Sequence, residues 1–280
     1  MPQRTWFITG VSSGFGPQMT EHLLERGDRV AGTVRNMDAM TDLKASYGDR
    51  LWLADLNVTD TVAIREVVKN AFADLGTINV VVNNAGYGLF GPAESLTDDQ
   101  IIQQINTNLI GSIQVVRAVL PHLRAQGGGR ILQISSYGGQ VAGPGRSLYH
   151  ASKWGIEGFM EAITQEVAPF NIGVTIVEPG GARTAFRFGN AQVGPKMEVY
   201  EGTPAGMVYQ SLQDTSRLPT GDPARMVTIM IDSVEQHPAP LRIVLGSDAI
   251  TTLQHALTER LAAVEVQKEQ AFSTDLPTNA

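Results

Sequence analysis

A tyrosine and a lysine four positions apart are the first residues in this sequence whose spacing suggests proton chemistry. Tyr149 and Lys153 stand in segment 147–153, which has the features of a helix start, and a separation of four puts both side chains on one helical face. A free phenol has a pKa of about 10, and a nearby ammonium lowers it toward the range in which the phenolate acts as a base. Taken alone, such a pair is more often incidental than catalytic, so its assignment depends on other residues.

Polar residues that follow two predicted strands strengthen that interpretation. Ser136 stands thirteen residues before Tyr149 at the end of one apolar strand, and the segment 83–86, Asn-Asn-Ala-Gly, follows another. In an open parallel sheet the carboxyl ends of the strands face a common ligand crevice. A hydroxyl at that edge can hydrogen-bond to a substrate oxygen as negative charge develops on it. The alternative is that Ser136 only closes its strand.

A glycine-rich turn lies between the first predicted strand and the first predicted helix. Residues 9–16 read TGVSSGFG, in which the glycines let the backbone turn sharply and approach a ligand closely. The N-terminus of the following helix presents free N–H groups and the positive end of a dipole. Because the turn is the first strand-to-helix connection of an alternating chain, we predict that it binds a dinucleotide pyrophosphate rather than serving structure alone. The predicted contacts are Gly10, Ser12, Ser13, Gly14, Phe15 and Gly16.

Short apolar segments alternate with longer amphipathic ones along the chain. The predicted strands cover residues 4–9, 29–34, 50–54, 78–82, 130–135, 172–178 and 241–245. Predicted helices cover about 16–26, a segment that starts at 59 or 60, a long stretch over about 98–126, and a segment after 147. Several strands are apolar nearly throughout, as expected for parallel strands covered on both faces. The alternation predicts an α/β fold, one domain over residues 1–280 with a doubly wound, seven-stranded parallel sheet in the Rossmann-like order 3-2-1-4-5-6-7 and helices on both faces.

Residues 184–220 break this pattern with scattered glycines and prolines. The segment lies between the sixth and seventh predicted strands, so it should pass over the carboxyl edge of the sheet. Long excursions at that edge form lids or substrate loops, and we predict a substrate loop here. The polar tail after about residue 265 should lie on the surface.

The composition excludes several classes of function. The formal net charge is −7 and the basic residues are scattered, which argues against a nucleic-acid partner or an anionic membrane surface. There is no cysteine and the five histidines show no ligand spacing, so no metal site is predicted. No apolar stretch approaches the roughly 20 residues that span a bilayer. The first strand starts too early to leave room for a signal peptide, and a cytoplasmic enzyme or binding protein is therefore expected.

Together these motifs resemble those of the short-chain dehydrogenases/reductases that have a single Rossmann-like domain. The resemblance covers nearly the whole chain, from Thr5 to about Asp248, and its motifs stand in the family's order and spacing. They are TGxxxGxG at 9–16, NNAG at 83–86, Ser136, YxxxK at Tyr149 and Lys153, and Pro179-Gly180. Each motif alone is weak evidence, but the set is highly specific. The resemblance implies an NAD(P)(H)-dependent oxidoreductase that interconverts the carbonyl and secondary alcohol forms of a small-molecule substrate by hydride transfer.

The resemblance also implies roles for the catalytic residues. Tyr149 would be the general acid in reduction and the general base in oxidation, and Ser136 would orient the substrate oxygen. Lys153 would hold the nicotinamide ribose hydroxyls and, together with the cationic nicotinamide, lower the pKa of the tyrosine. Asn108 matches a family asparagine whose helix distortion holds a proton-relay water. Asn106 competes for that assignment, but the Leu-Ile-Gly that follows residue 108 favours Asn108.

Further cofactor contacts follow from the same resemblance. Asn57 and Val58 match an Asp-Val stretch whose carboxylate meets the adenine amino group, a bond that Asn57 can still accept, although without charge assistance. Lys153 and Tyr149 would meet the nicotinamide ribose. The other implied contacts, which extend from the adenosine ribose to the nicotinamide amide, are Asn84, Ala85, Gly86, Pro179, Gly180 and Thr184.

The end of the second predicted strand distinguishes NADP(H) from NAD(H). NAD-using relatives carry an Asp where this chain has Val34, and the following Arg35 can form a forked, charge-assisted bond to a 2′-phosphate. We therefore expect NADP(H), with NAD(H) as the alternative. Two observations argue against NADP(H): Ser13 is not the basic residue found in some NADP-dependent relatives, and Arg35 could instead stack on adenine.

The substrate is less constrained by the sequence. Segments 135–139, 177–180 and 245–249 look most like a bacterial branch related to 17β-hydroxysteroid dehydrogenases, a likeness that does not establish a steroid substrate. An apolar pocket could be lined by Tyr87, Tyr137, Phe186, Phe188 and Met207, and ordinary core or surface packing is an equal alternative for each. His150, beside Tyr149, points to another helical face and is expected to be structural.

Two other classes of function remain open on the same fold. The first is an isomerase, dehydratase or epimerase, whose extended relatives usually have TGxxGxxG spacing and a longer C-terminal domain. The second is a non-catalytic cofactor sensor, in which loss of Tyr149 or Lys153 would be expected, whereas both are present. Relatives commonly pair through two long central helices, here around 108–126 and 149–170, so a homodimer or homotetramer is expected.

Overall fold

Seven parallel strands form the main sheet. The computed structural model describes residues 3–276 apart from 215 and 217, and the side chains of residues 187 and 188 fall outside that description. The strands of the described residues are β1 (Thr5–Thr9), β2 (Arg29–Val34), β3 (Leu51–Asp55), β4 (Val80–Asn83), β5 (Leu89–Phe90), β6 (Gly129–Ile134), β7 (Ile172–Pro179), β8 (Gln192–Val193) and β9 (Arg242–Leu245). The main sheet has the order β3-β2-β1-β4-β6-β7-β9. Without the short β5 and β8, this is 3-2-1-4-5-6-7, which confirms the predicted α/β fold and strand order.

Helices connect these strands and cover the sheet. The helices of the described residues are α1 (Gly16–Glu25), α2 (Thr41–Tyr47), α3 (Thr61–Leu75), α4 (Asp98–Ile105), α5 (Ser112–Ala125), α6 (Ser147–Val167), α7 (Ala185–Phe188), α8 (Met207–Gln213), α9 (Pro223–Asp232), α10 (Ser247–Glu265) and α11 (Lys268–Phe272). Asp60 caps α3 by accepting hydrogen bonds from the backbone N–H groups of Val62 and Ala63, as its position before the apolar pattern predicts.

Two apolar layers lie on opposite faces of the sheet. Side chains alternate along a strand, so Trp6 and Ile8 of β1 pack with Met19 of α1 and Met230 of α9. Phe7 points to the other face, into the layer built by α3, α5 and α6. Burial on both faces explains why the central strands read as continuous apolar runs.

The long helix expected over about 98–126 is divided by a wider turn. α4 ends at Ile105, residues Asn106–Gly111 form a π-helical segment, and α5 then continues through Pro121 to Ala125. The apolar pattern alone predicted one helix over about 98–126, and the interruption lies where the family resemblance implied a helix distortion, at Asn108. A π turn inserts an extra residue into the helical repeat and re-aims the side chains that follow.

The excursion between β7 and β9 contains local structure that its sequence does not reveal. It includes α7, β8 and α8, and β8 pairs in parallel with β5. Phe90 of β5 packs with Val208 and Tyr209 of α8, so the excursion is attached to the loop that follows β4. This places it over the carboxyl edge of the sheet, as predicted.

The C-terminal part beyond β9 extends along the surface. Residues of α10 near its start, such as Ala249 and Leu253, are buried, whereas the chain from Glu265 to Leu276 is exposed throughout. Within the described ranges, no helix combines the length and the apolar character needed to cross a bilayer. Nor does any group of three or more histidine or acidic side chains there stand in an arrangement that could hold a metal ion.

Candidate active site

A cleft of about 1130 Å³ opens at the carboxyl edge of the main sheet. Its floor is made by the residues that follow β1, β2, β4, β6 and β7, and the excursion forms its outer wall. This is the position at which open parallel sheets bind ligands. Of the residues predicted from the sequence as catalytic or cofactor-binding, only Gly16 and Asn108 do not line the cleft.

The glycine-rich turn after β1 has a backbone that other residues would not adopt. Gly10 and Gly14 have φ angles of +73° and +65°, in the left-handed region that glycine tolerates. A Cβ on Gly16 would overlap the carbonyl oxygen of Gly10, which explains why this glycine lies beneath the turn rather than in the cleft wall. The turn leads into α1, whose start has no side-chain cap and carries a proline in its first turn. Its N–H groups are thus available to an anion.

Asn84 holds this turn against β4. Its Nδ2 donates to the carbonyl oxygens of Thr9 and Gly10 at 3.0 and 2.9 Å. The Thr9 hydroxyl in turn accepts from the backbone N–H groups of Asn84 and Ala85, both at 3.1 Å. Asn84 therefore lines the cleft as predicted and also fixes the glycine-rich turn, a contribution that the sequence did not indicate.

Ser136, Tyr149 and Lys153 converge in the deeper half of the cleft. The Lys153 ammonium donates to the carbonyl oxygen of Ile134 at 2.9 Å and lies 5.8 Å from the centroid of the Tyr149 ring. Ser136 accepts a hydrogen bond from the N–H of Gly138 at 3.1 Å and donates weakly to the carbonyl oxygen of Pro179 at 3.4 Å. The end of β6 and the start of α6 thus bring the three side chains together, and β7 contributes the carbonyl group of Pro179.

Burial dominates the proton affinities of the tyrosine and the lysine. Desolvation raises the pKa of Tyr149 to about 12, while a hydrogen bond with Ser136 and the charge of Arg146 oppose the rise. Desolvation also lowers the pKa of Lys153 to about 8, opposed by the carboxyl group of Glu157. Without the charge of a cofactor, the pKa of Tyr149 is therefore raised, whereas the family resemblance implies that it is lowered. The cost of desolvating a phenolate exceeds the stabilisation that the Ser136 hydrogen bond and the charge of Arg146 provide.

Asn108 lies behind the cleft wall, within the π-helical segment. Its Nδ2 donates to the carbonyl oxygen of Tyr87 at 2.8 Å, and its Oδ1 accepts from the N–H of the same residue at 3.1 Å. The Nδ2 also lies 3.3 Å from the hydroxyl of Ser152, one residue before Lys153. Asn108 thus joins the loop after β4 to α6, and the helix distortion expected at this asparagine is present. Asn106, the competing residue, has no such contacts among the described residues.

The opposite end of the cleft contains Arg35 and no carboxylate in the position after β2. Val34 is buried, and the exposed side chain of Arg35 lines the cleft. The guanidinium makes no hydrogen bond or ion pair with any described residue, so it is available to a ligand. Nearby, the Oδ1 of Asn57 already accepts from the N–H of Thr59 at 3.1 Å. Its remaining lone pair is all that it can offer to an adenine amino group.

Aromatic residues surround the predicted proton donor. The rings of Phe90 and Phe186 lie 6.1 and 5.8 Å from that of Tyr149. Four of the five residues suggested for an apolar pocket, Tyr87, Tyr137, Phe186 and Met207, do line the cleft, and the side chain of Phe188 lies outside the described residues. His150 is buried beside them, and its Nδ1 lies 2.8 Å from the carbonyl oxygen of Gly138.

Among the cleft residues that were not predicted from the sequence, three stand out by their contacts. Phe90 reaches the site through β5, and Asn190 of the excursion donates a hydrogen bond to the hydroxyl of Ser13. Arg146 also lines the cleft, and the only hydrogen bond of its guanidinium to a described residue is a long one, 3.5 Å, to the hydroxyl of Tyr137. Its position could have been predicted from the sequence, because Arg146 stands three residues before Tyr149 at the start of the same helix. Phe90 and Asn190 gave no such signal, because the excursion brings them in.

Comparisons with known proteins agree with this geometry. The family model of the short chain dehydrogenases matches residues 4–192. An oxidoreductase of Botryotinia fuckeliana is 38% identical over 272 residues, which cover 97% of this chain and 99% of the relative. The crystal structure of a short-chain dehydrogenase from Streptomyces avermitilis is 35% identical and superposes with a TM-score of 0.92, covering 98% of this chain and 100% of that one. A closed form of serine dehydrogenase complexed with NADP+ is 27% identical, with a TM-score of 0.71 over 86% of this chain and 93% of the other.

Proposed function

Because this chain belongs to the short-chain dehydrogenase family and is an oxidoreductase of that family, we propose that it transfers a hydride between NADP(H) and a carbonyl or secondary alcohol. Tyr149 is the general acid in reduction and the general base in oxidation. The observation that carries the proposal is the convergence of Tyr149, Lys153 and Ser136 in one cleft with the glycine-rich turn.

The cleft suits a dinucleotide along its whole length. The positive φ angles of Gly10 and Gly14 and the uncapped start of α1 leave N–H groups directed at a pyrophosphate. The side chains of Ser12 and Ser13 and the backbone of Phe15 and Gly16 would complete that contact. Toward the adenosine end the contacts would be Arg35, Asn57, Val58, Asn84, Ala85 and Gly86, and toward the nicotinamide end Tyr149, Lys153, Pro179, Gly180 and Thr184. When bound, the cofactor supplies or accepts the hydride.

The proton chemistry follows from the desolvated phenol of Tyr149. A pKa of about 12 keeps Tyr149 protonated at neutral pH, so the phenol is ready to donate to a carbonyl oxygen that gains negative charge during reduction. The hydroxyl of Ser136 stabilises the same oxygen by a second hydrogen bond. In oxidation Tyr149 must lose its proton, and the positive charges that favour this are the ammonium of Lys153 and the oxidised nicotinamide. Asn108 holds the loop and helix that carry this site, and it reaches the hydroxyl of Ser152 behind Lys153.

The preference for NADP(H) rests on Arg35. A free guanidinium at the end of β2, with an apolar residue where a carboxylate would select NAD(H), provides a forked donor for a 2′-phosphate. The similar serine dehydrogenase whose closed form is complexed with NADP+ supports this preference.

A spectrophotometric panel tests the proposal. NADPH and NADH are each incubated with varied ketones and aldehydes, and the oxidised cofactors with the corresponding alcohols. We expect cofactor consumption in proportion to the product formed, with NADPH preferred. Substrate turnover without net cofactor oxidation would indicate an isomerase or dehydratase instead. Tight NADPH binding with no turnover across the panel would favour a cofactor sensor, and equal or better turnover with NADH would contradict the cofactor assignment.

A further inference from the structure

A buried cluster of carboxyl groups lies directly behind the wall that carries Ser136 and Lys153. The side chains of Glu157 on α6 and Glu178 on β7 are 3% and 0% exposed, and both contact Arg242 of β9. We call Glu157, Glu178 and Arg242 the carboxyl cluster. None of its members takes part in the proposed hydride transfer, yet burying two carboxyl groups together is costly unless their charges are compensated.

The cluster is closely hydrogen-bonded. Ser135 donates to Oε1 of Glu157 at 2.6 Å, and Gln140 donates to Oε1 of Glu178 at 2.5 Å. The Nε of Arg242 lies 2.9 Å from Oε1 of Glu178 but 3.4 Å from Oε2 of Glu157. Arg242 therefore pairs closely with Glu178 and only loosely with Glu157.

Glycine at position 139 is part of the same arrangement. A Cβ on Gly139 would overlap the carboxyl oxygen of Glu157 that accepts from Ser135. The glycine in the turn after β6 thus leaves the space that the carboxyl group of Glu157 occupies.

The charges in the cluster do not balance if both carboxyl groups are ionised. The charged or titratable groups that face Glu157 are Lys153 and Glu161 on its own helix, Glu178 on β7 and Arg242 on β9. Arg242 also pairs at 2.9 Å with Glu161, whose side chain is half exposed, so one guanidinium serves three carboxyl groups. Arg260 of α10 is nearby but donates to the backbone carbonyl of Gln140.

One buried oxygen in the cluster has no hydrogen-bond donor. The Oε2 of Glu178 is fully buried and receives no hydrogen bond from the described residues. A proton on the adjacent Glu157 carboxyl would supply the missing donor and would remove one of two neighbouring negative charges. The pKa of Glu157 agrees with this: burial and the nearby Glu178 raise it to about 8, while Ser135 and Arg242 oppose the rise.

The two glutamates of the cluster, and the serine that donates to Glu157, stand close in the chain to residues of the active site. Ser135 precedes Ser136, Glu178 precedes Pro179, and Glu157 lies one helical turn beyond Lys153. The cluster therefore joins β6, β7 and α6 at the point where each contributes to the cleft.

We propose that Glu157 and Glu178 hold one proton between them, and that this protonated pair, paired with Arg242, positions Ser136 and Lys153 for catalysis. The shared proton is independent of the reaction, whereas the positioning role rests on the proposed function. Loss of the proton places a second negative charge in the cluster, so that the two carboxylates repel each other between α6 and β7.

The shared proton is tested by stability, without any substrate. Glutamine resembles a protonated glutamate, so the Glu157→Gln variant should keep the hydrogen bonds and lose the titration. A group whose pKa is raised on folding contributes stability that is fully present below its unfolded value, here 4.5, and lost as the pH rises through about 8. Between pH 5 and pH 8.5 the wild type should therefore lose stability that the variant keeps. Denaturant unfolding at the two pH values should show the ratio of their unfolding constants changing by about tenfold or more.

Glu161→Gln is the matched control for that experiment. It removes a carboxylate from the same Arg242 at the exposed end of the contact, and it should show the pH dependence of the wild type. A difference between Glu157→Gln and wild type that stays constant from pH 5 to pH 8.5 would show that Glu157 holds no proton in the fold and would overturn the proposal.

The positioning role is tested by activity on the best substrate of the panel at pH 7. Glu157→Gln keeps an acceptor for Ser135 and should retain kcat within about threefold. Glu157→Ala removes that acceptor and should lower kcat by about tenfold or more while the KM for NADPH changes little. Equal kcat values for the two variants, with both proteins folded by circular dichroism, would refute the positioning role even if the stability experiment confirms the shared proton. A panel with no turnover at all contradicts the proposed function and leaves the stability result standing.

Discussion

Single side chains in the cleft show how burial sets the chemistry. The phenol of Tyr149 and the ammonium of Lys153 both have a pKa shifted toward their neutral forms, to about 12 and about 8, because desolvation disfavours charge. A neutral phenol suits a proton donor in carbonyl reduction. The phenolate needed for alcohol oxidation forms only when positive charge lies beside it. At neutral pH Tyr149 is therefore in the protonated form that the proposed reduction needs, and a positively charged cofactor would lower its proton affinity.

Arg35→Leu tests the cofactor preference at the level of one residue. A charge-assisted bond to a 2′-phosphate contributes about 1.5–3 kcal/mol, so the KM for NADPH should rise by about tenfold or more. The KM for NADH, which lacks that phosphate, should change less than about twofold. Steady-state kinetics with both cofactors measure the two effects.

Arg65→Leu, an exposed arginine on α3 outside the cleft, is the control and should leave both KM values unchanged. If Arg35→Leu weakened NADPH and NADH equally, the guanidinium would stack on adenine rather than bind a phosphate.

Most site residues could be predicted from the sequence because they belong to local backbone patterns. The turn of residues 9–16, the end of β6 and the start of α6 each place their side chains by their own conformation. Phe90 and Asn190 could not be predicted in this way, because both depend on how the excursion folds back over the sheet. The raised pKa of Tyr149 was also not predictable, since burial is a property of the folded chain.

At the level of elements, the π-helical segment between α4 and α5 has the clearest consequence. The amphipathic pattern over 98–126 gives no sign of it, because one extra residue in a turn changes the repeat only slightly. The structure shows what the wider turn achieves: it directs Asn108 at both backbone polar groups of Tyr87. The loop after β4 is held against α6 as a result.

Asn108→Ala should destabilise the protein by about 1–3 kcal/mol, because the partly buried N–H of Tyr87 loses its acceptor. The carbonyl of Tyr87 keeps a bond from Gln104 at 3.2 Å, which limits the loss. Denaturant unfolding measures the change. Asn106→Ala in the same segment is the control and should cost less than about 0.5 kcal/mol. Equal losses in the two variants would mean that the segment, and not the Asn108 side chain, carries the stability.

The pairing of β5 with β8 is a second element that the sequence did not predict. Each strand has two residues, too few for any periodic pattern. Backbone hydrogen bonds from Gln192 to Gly88 and from Gly194 to Phe90, both at 2.8 Å, attach the excursion to the wall of the cleft. The role of residues 184–220 as a substrate loop stays a prediction, and this attachment supports it.

For the molecule as a whole, the strand order was predictable from the sequence. Parallel strands covered on both faces read as apolar runs, and their alternation with helices leaves few topologies. We propose one domain that assembles as a homodimer or homotetramer through the region of α5 and α6. Partly exposed apolar side chains at the ends of this region, Ile110 and Phe170, are 39% and 44% exposed.

Light scattering should therefore give two or four times the mass of the chain. Phe170→Asp should lower that mass by placing a charge in the proposed contact. Val266→Asp, a change at an 84% exposed residue in the C-terminal tail, is the control and should leave the mass unchanged. A wild-type protein that stays monomeric at high concentration would contradict the proposed assembly.

The most direct test of the central claim is to measure both kcat and the Kd for NADPH in the Tyr149→Phe variant and to compare them with the wild type. Removing the phenolic hydroxyl removes the proposed acid and base, so kcat should fall by about a hundredfold or more, while the Kd for NADPH stays within about threefold. Tyr47→Phe, a tyrosine outside the cleft, should behave as the wild type. A folded Tyr149→Phe variant that kept turnover within about threefold of the wild type would show that Tyr149 is not the acid/base of this enzyme.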